Sequence, residues 1–309
     1  SNLRLGNTLN ADVASAAAVA AGIRLPYAGF RGSVSQALRP FPQYTGINNL
    51  AQPTGFSNYH ALQTRLQRRY SKGLSLLFSY TLSKTLVHGG GYSNREIDAA
   101  GAAPLDVRNP NLEKRLASFD RRHIAIVSWT YELPFGKGRT FLSSASRAVD
   151  LLVGGWQLNG IHNFRTGAPV FIGGGGVIPL FGGGNRPNIV NSKFDTGITG
   201  SDYDPGDPAR QRKLDINAWA QPAAFTFGNA APSYNSLRTY GSISEDFSIQ
   251  KNFKLFERHS LQFRTELFNA FNRVNWRGPA ANLNAPANFG RITSTDPPRS
   301  IQLALKYIF

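Results

Sequence analysis

The sequence predicts an all-β fold, the wall of an antiparallel transmembrane β-barrel, and three observations predict it. Segments of roughly ten residues alternate apolar and polar side chains with period two, the length and pattern of a strand that crosses a bilayer. Long connections follow every second segment, while the intervening turns are mostly short. No run reaches the roughly 18 apolar residues of a membrane-spanning helix. In lipid the backbone polar groups must then pair strand to strand in a closed sheet.

The elements follow in chain order. Residues 1 to 58 form a leading loop, expected outside the cell. Tyr59–Tyr70 is the first strand, with Tyr59, Ala61, Gln63, Arg65, Gln67 and Arg69 on one face and His60, Leu62, Thr64, Leu66, Arg68 and Tyr70 on the other. Ser71-Lys72-Gly73 turns the chain into Leu74–Ser83, where Leu74, Leu76, Phe78, Tyr80 and Leu82 make an apolar face opposite Ser75, Leu77, Ser79, Thr81 and Ser83. A polar connection from Val87 to Arg121 leads to His123–Leu133, whose apolar side carries Ala125, Val127, Trp129, Tyr131 and Leu133. Pro134-Phe135-Gly136-Lys137-Gly138 closes that strand, and Ser144–Val153 has the pattern of a short amphipathic helix. Trp156–Ile172 resumes the sheet, and the Gly-, Pro-, Asn- and Asp-rich stretch Gly173–Tyr240 is the longest connection. Ser242–Lys254, Leu261–Val274 and Ser300–Phe309 complete seven strands, separated by the short turn Leu255–Ser260 and the long loop Asn275–Arg299.

Seven crossings that begin outside leave the last residue on the periplasmic side. An odd number of strands leaves two edges whose unpaired backbone lipid cannot satisfy, so further strands are expected from elsewhere in the same chain or from another. A soluble β-sandwich alternates too, but nothing in it gathers the long loops at one end.

Composition narrows the class further. There are 309 residues with 31 Gly, 18 Pro, 21 Phe and 11 Tyr, but no Cys and no Met. The missing thiols exclude a disulfide framework and suit an oxidising envelope compartment. The missing methionine points to a processed chain or a fragment, and Ser1-Asn2-Leu3-Arg4-Leu5 does not begin a signal peptide. The net charge of +16 is spread over many strands rather than gathered in one patch, so nucleic acid is not an expected partner.

The last strand, Ser300-Ile301-Gln302-Leu303-Ala304-Leu305-Lys306-Tyr307-Ile308-Phe309, is apolar at every second position and ends on an aromatic residue. It resembles the C-terminal signal that the barrel-assembly machinery recognises, which marks Tyr307 and Phe309 as the recognised pair. Phrases along the whole chain extend the likeness. They include Leu38-Arg39-Pro40-Phe41-Pro42-Gln43-Tyr44, Tyr59-His60-Ala61-Leu62-Gln63 and Phe78-Ser79-Tyr80-Thr81-Leu82-Ser83-Lys84. Phe119-Asp120-Arg121-Arg122-His123, Tyr131-Glu132-Leu133-Pro134-Phe135-Gly136, Gly154-Gly155-Trp156-Gln157-Leu158-Asn159-Gly160, Leu261–Asn272 and Asn288-Phe289-Gly290-Arg291-Ile292 belong with them. Together these phrases resemble the TonB-dependent receptors of the Oar-like type, which carry a carboxypeptidase-regulatory domain and are common in Acidobacteria. The resemblance implies a barrel of about 22 strands, of which this chain is the C-terminal third. It also implies a plug domain and a TonB box upstream, the TonB system as partner, and the outer membrane of a Gram-negative bacterium as location. Outer-membrane lipid and lipopolysaccharide would then surround the wall.

For function, the polar face offers Arg65, Arg69, Arg165, Arg264, Gln63, Gln67, Gln157, Asn159 and Glu266 as lumen-facing candidates for a ligand path or a plug contact. Their chemistry suits anionic or hydroxyl-rich ligands. Any single one of them is more at home as hydrogen-bonding filler on a wet wall. Tyr70, Trp129, Tyr131, Trp156 and Phe309 fit the interfacial girdle.

Asp202, Asp204 and Asp207, near Asp195, make a weak calcium candidate, since compact acidic loops supply the oxygen ligands that Ca²⁺ takes. No other metal and no cofactor is expected, because His60, His88, His123, His162 and His259 lack ligand spacing. Gly173–Gly176 and Gly182–Gly184 have no following Lys-Ser/Thr and suggest flexible loop rather than a phosphate cradle. No nucleophile elbow appears, so an enzyme is not expected. The two functional expectations are energised uptake of a ligand, and a surface or adhesion role for the long loops.

Overall fold

The computed structural model describes residues 2–47, 55–88, 105–106, 109–180, 184–255 and 259–309. Seven long strands form one antiparallel sheet in strict sequence order: β1 Phe56–Ser71, β2 Leu74–His88, β3 His123–Glu132, β4 Trp156–Arg165, β5 Ser242–Lys254, β6 Ser260–Phe268 and β7 Ser300–Ile308. This meander needs no crossover, because each strand pairs with the next. The sheet is open. Among the described residues no strand pairs with the outer edge of β1 or of β7. The fold is thus all-β and antiparallel, with the form of a barrel section.

Register turns seven local alternations into two continuous faces. Leu66 sits opposite Phe78, Phe78 opposite Val127, and Trp129 opposite Gly160. Leu158 meets Ile249, Phe247 meets Leu267, and Leu267 meets Ile301. Side chains opposite one another across a sheet share a face, so one side of all seven strands is predominantly apolar, while Leu77, Ile124, Ile126 and Ile161 fall on the other. The other side carries a polar row through six strands: Ser75, Thr130, Asn159, Ser248, Glu266 and Gln302.

Several polar residues that fall on the apolar side are paired. Tyr80 Oη and His123 Nδ1 lie 2.8 Å apart, and the Trp129 indole N–H donates to His162 at 3.0 Å. Glu245, buried, accepts two bonds from the Arg273 guanidinium at 2.7 and 2.8 Å. A bare carboxylate there would face hydrocarbon at a cost that depends on depth and stays below the roughly 2–4 kcal/mol of an Arg or Lys at the midplane. Pairing removes that cost.

Four strands differ in extent from the alternation. β1 and β2 run longer than expected, to 16 and 15 residues, because the hairpin pairs as far as Phe56 and His88. β4 stops at Arg165 rather than Ile172. Pro169 follows closely and has no N–H to donate, and Val170 is buried with its N–H bonded to Leu237 O at 2.9 Å. β6 stops at Phe268 rather than Val274, because Asn269 and Asn272 adopt positive φ and the Asn269 side chain closes a turn onto Arg273.

The ends of the sheet differ in character. At one end lie the two-residue link at 72–73, Leu255 and His259 joined by a backbone bond of 3.0 Å, and the connection 133–155. That connection holds a helix, α1 Arg147–Val153, capped by the Ser146 side chain. At the other end lie residues 2–47 and the connections after β2, β4 and β6.

These longer connections have cores of their own. Leu214, Leu237 and Phe289 are fully buried with Trp219, Val170, Ala218 and Ala230. A second cluster joins Leu9, Ala18 and Val34 to Leu180 and Phe225. Two short strands, Asn188–Ile189 and Trp219–Ala220, pair within this layer. Gly173–Gly176 is therefore not a flexible loop. Gly173 exchanges backbone bonds with Ala281 and Leu283, and a Cβ on Gly174 or Gly175 would meet backbone atoms at 2.7 and 2.3 Å. Glycine is needed there for close approach. Of Gly182–Gly184, the first two residues lie outside the described residues.

Candidate functional site

The polar face is organised as a hydrogen-bonded ladder. Gln157, Gln250 and Arg264 are register neighbours, and the Gln250 amide donates to Gln157. Gln157 donates to Asn159 at 3.2 Å, and Asn159 donates to Ser248 Oγ at 2.9 Å. Arg264 and Glu266, two apart on β6, pair at 3.5 Å. Period-two spacing puts both on one face, and neighbouring strands supply the amides between them.

The structure thus brings Gln157, Arg264 and Glu266 together in one strip on β4 to β6. Arg165 stands at the long-loop end of the same face, its Nε donating to Ser242 Oγ at 2.6 Å. Gln63 shares a row with Thr81, Ile124 and Arg165, which places it three strands away, about 14 Å at the usual strand spacing. Gln63 and Arg65 therefore form a separate strip on β1, where Arg65 donates to Gln67 at 3.1 Å. Beyond Arg68 a bulge adds one residue to β1, so Arg69 has no register partner. The same bulge changes Tyr70. Alternation groups it with Leu62 and Leu66, yet its hydroxyl donates at 2.8 Å to Glu132, a polar-face residue of β3.

Near Arg165 the polar face holds an open cavity of about 420 Å³, bordered by the loop after β6. Asn163, Arg165, Ser242, Ser244 and Asp246 line it from the strands, and Asp296 from the loop. Asp246 accepts from the Asn269 N–H at 2.8 Å and from Ser244 Oγ at 3.3 Å. The Asn163 side-chain oxygen has no protein partner. The polar lining is thus amide, hydroxyl, one guanidinium and two carboxylates, beside Phe268, Pro297 and Pro298, which suits a ligand with groups that donate and accept and an apolar part. Asn163, Ser244 and Asp246 hold polar positions of the alternation, the signal that could have found them. Asp296 has no such signal, because a loop carries no periodicity to place it.

The junction above β2 joins Asp120, part of a phrase already noted, to Arg238, which no motif marks. Asp120, 1% exposed, accepts from the Thr85 N–H at 2.7 Å and from Arg238 at 2.7 Å. Arg238 also donates to the carbonyls of Asp120 and Gly167. Burial, followed by repulsion from Arg165 and Arg238, lowers the pKa of the neighbouring Arg121. The mouth of the polar face is therefore cationic on this side.

The acidic loop is arranged differently from a metal cage. Arg210 bonds Asp207 at 2.7 Å and lies 3.5 Å from Asp204, and turn N–H groups of Gly206 and Ala209 occupy the remaining oxygens at 2.9 Å. The bond from Arg210, then that from Ala209, holds the Asp207 carboxyl below its ordinary pKa. Asp202 accepts instead from Thr199 Oγ1 at 2.6 Å. Among the described residues, no three His, Asp or Glu side chains converge on a point.

Tyr307 lies on the apolar face opposite Leu261, with its hydroxyl 2.6 Å from His259 Nδ1 and its ring 5.9 Å from that of Phe309. The apolar and polar faces, the loop layer and the open edges together describe a section of membrane wall.

Two comparisons bear on that description. The family model described as "Outer membrane beta barrel domain" matches residues 3–302. Among curated proteins, none matches.

Proposed function

Because the chain belongs to the outer-membrane β-barrel domain family, we propose that it is the C-terminal wall of a TonB-dependent transporter that takes up a polar or anionic ligand. The single observation that carries the proposal is the polar ladder on one side of a sheet whose other side is apolar across all seven strands. A wall with one wet face encloses a lumen once its edges are closed, by strands of the same chain or another. Barrels of this kind place long loops outside the cell and short turns in the periplasm. The loop layer then stands over the mouth, and the cavity lined by Asn163, Arg165 and Asp246 lies just inside it.

In this reading Arg165, Arg264, Gln157 and Glu266 line the path, and Arg65, Arg69 and Gln63 line its far side or meet a plug. Lipid and lipopolysaccharide surround the apolar face, and the barrel-assembly machinery engages Tyr307 and Phe309 at the outer edge of β7. The test is binding of the purified periplasmic domain of TonB to the full-length protein extracted from its native membrane. A saturable complex supports the reading, and absence of any complex refutes it.

A second reading rests on the loop layer. Its own buried core of Leu214, Leu237 and Phe289 gives it a fixed outer surface, as a protein that adheres to a partner cell requires. Loss of cell attachment on deleting residues 191–212, with the wall still assembled, would favour that alternative.

A further inference from the structure

We propose that helix α1 is a membrane-interface anchor, lying against the outer side of the wall with its apolar side in the periplasmic leaflet of phospholipid. Lys251 is a lysine in the wrong place. It pairs in register with Trp156 on the apolar face, where a bare ammonium would meet hydrocarbon, yet it is only 2% exposed. Its Nζ donates to the carbonyls of Leu152 at 2.7 Å and Gly154 at 2.9 Å, at the end of α1. It also lies over the rings of Trp156 and Phe253, at 4.7 and 5.1 Å. The Trp156 indole N–H donates to the same Leu152 carbonyl at 2.9 Å. Two side chains of the lipid face therefore hold the helix end, satisfying carbonyls that a helix terminus leaves unpaired. The helix is fixed to the lipid side of the wall, not beneath the lumen.

What the helix then shows to its surroundings is apolar. Leu152 is 74% exposed, and Val149 and Leu151 are exposed beside it. The polar residue Asp150 turns the other way and accepts from the Lys137 N–H at 2.6 Å. Exposed Arg147 and Lys137 stand at the rim. An apolar side continuous with a lipid-facing sheet, flanked by cations, matches the headgroup and acyl boundary of a phospholipid leaflet. The sequence shows why a 23-residue connection occupies the end where short turns prevail: it builds this anchor.

The test uses the full-length protein with single cysteines, the 309 residues having none of their own. Leu152→Cys, Leu303→Cys in β7 and Ser201→Cys in the loop layer each receive a nitroxide and are reconstituted in phosphatidylethanolamine–phosphatidylglycerol vesicles. Collision with oxygen and with a water-soluble nickel chelate is then measured. The expected result places the label at position 152 with the label at 303, oxygen-rich and nickel-poor, roughly 5–10 Å below the phosphates. Nickel access equal to that of the label at 201 overturns the anchor. The outcome does not depend on transport, because failure of TonB binding leaves it untouched. A nickel-accessible label at 303 would instead overturn the lipid face itself, and the anchor with it. Adding Lys251→Ala to Leu152→Cys should raise label mobility at 152 and leave that at 303 unchanged. An unchanged 152 spectrum refutes the role given to the lysine.

Discussion

Replacing Asp120 by alanine should release the loop layer from β2, and the structure sets the size of the effect. The carboxylate is buried, with one oxygen bonded to the Thr85 N–H and the other to Arg238. Truncating one partner of a buried ion pair costs about 3–5 kcal/mol, because the remaining charge stays behind without compensation. Arg238 is slightly exposed and keeps its two carbonyl acceptors, so about 3 kcal/mol is expected, at the lower end of that range. Asp120→Asn keeps an acceptor for Thr85 and loses only the charge, for about 1.5 kcal/mol. Hydrogen exchange at the Thr85 amide reports the junction directly. At about 1.4 kcal/mol per factor of ten, exchange should quicken about a hundredfold in Asp120→Ala and about tenfold in Asp120→Asn. Exchange at the parent rate in Asp120→Ala would refute the reasoning, since that N–H would then owe its protection to something else.

Three further predictions concern the faces and the loops. Leu303→Arg, in the middle of β7 on the apolar side, should destabilise the folded barrel in vesicles by about 2–4 kcal/mol, whereas Gln302→Arg next to it should be near neutral. Urea titrations of the pair check which side meets lipid. Gly290→Ala should loosen the loop layer, because φ is +80° and a Cβ would sit 2.6 Å from the Leu214 carbonyl, so faster trypsin cleavage of the 191–241 connection is expected. Removing the guanidinium by Arg165→Ala should lower uptake by the complete transporter with no loss of folded protein, measured by accumulation of its ligand in whole cells. Unchanged uptake would leave Arg165 as wall filler.

Most of the fold was legible because a strand has period two and a wall between lipid and water makes that period visible. The seven strands, their two faces and the polar positions on them follow from local alternation. Leu74 to Leu82 shows the rule at its plainest. The exceptions are places where one residue or one partner overrides the pattern. The β1 bulge redirects Tyr70, Asn269 ends β6 early, and Pro169 ends β4.

Tertiary structure alone decided the rest. Register, which no single strand contains, aligned the apolar sides and set Gln157 beside Gln250 and Arg264. Folding of the long connections buried Leu214 and Phe289, joined Asp120 to Arg238 across 118 positions of sequence, and brought Asp296 to the cavity at Arg165. It also laid α1 over Lys251, which by sequence is only a charge on the wrong face. Local alternation reports what each residue faces, water or oil. Which residues meet depends on long-range closure, and one chain's periodicity carries no information about that.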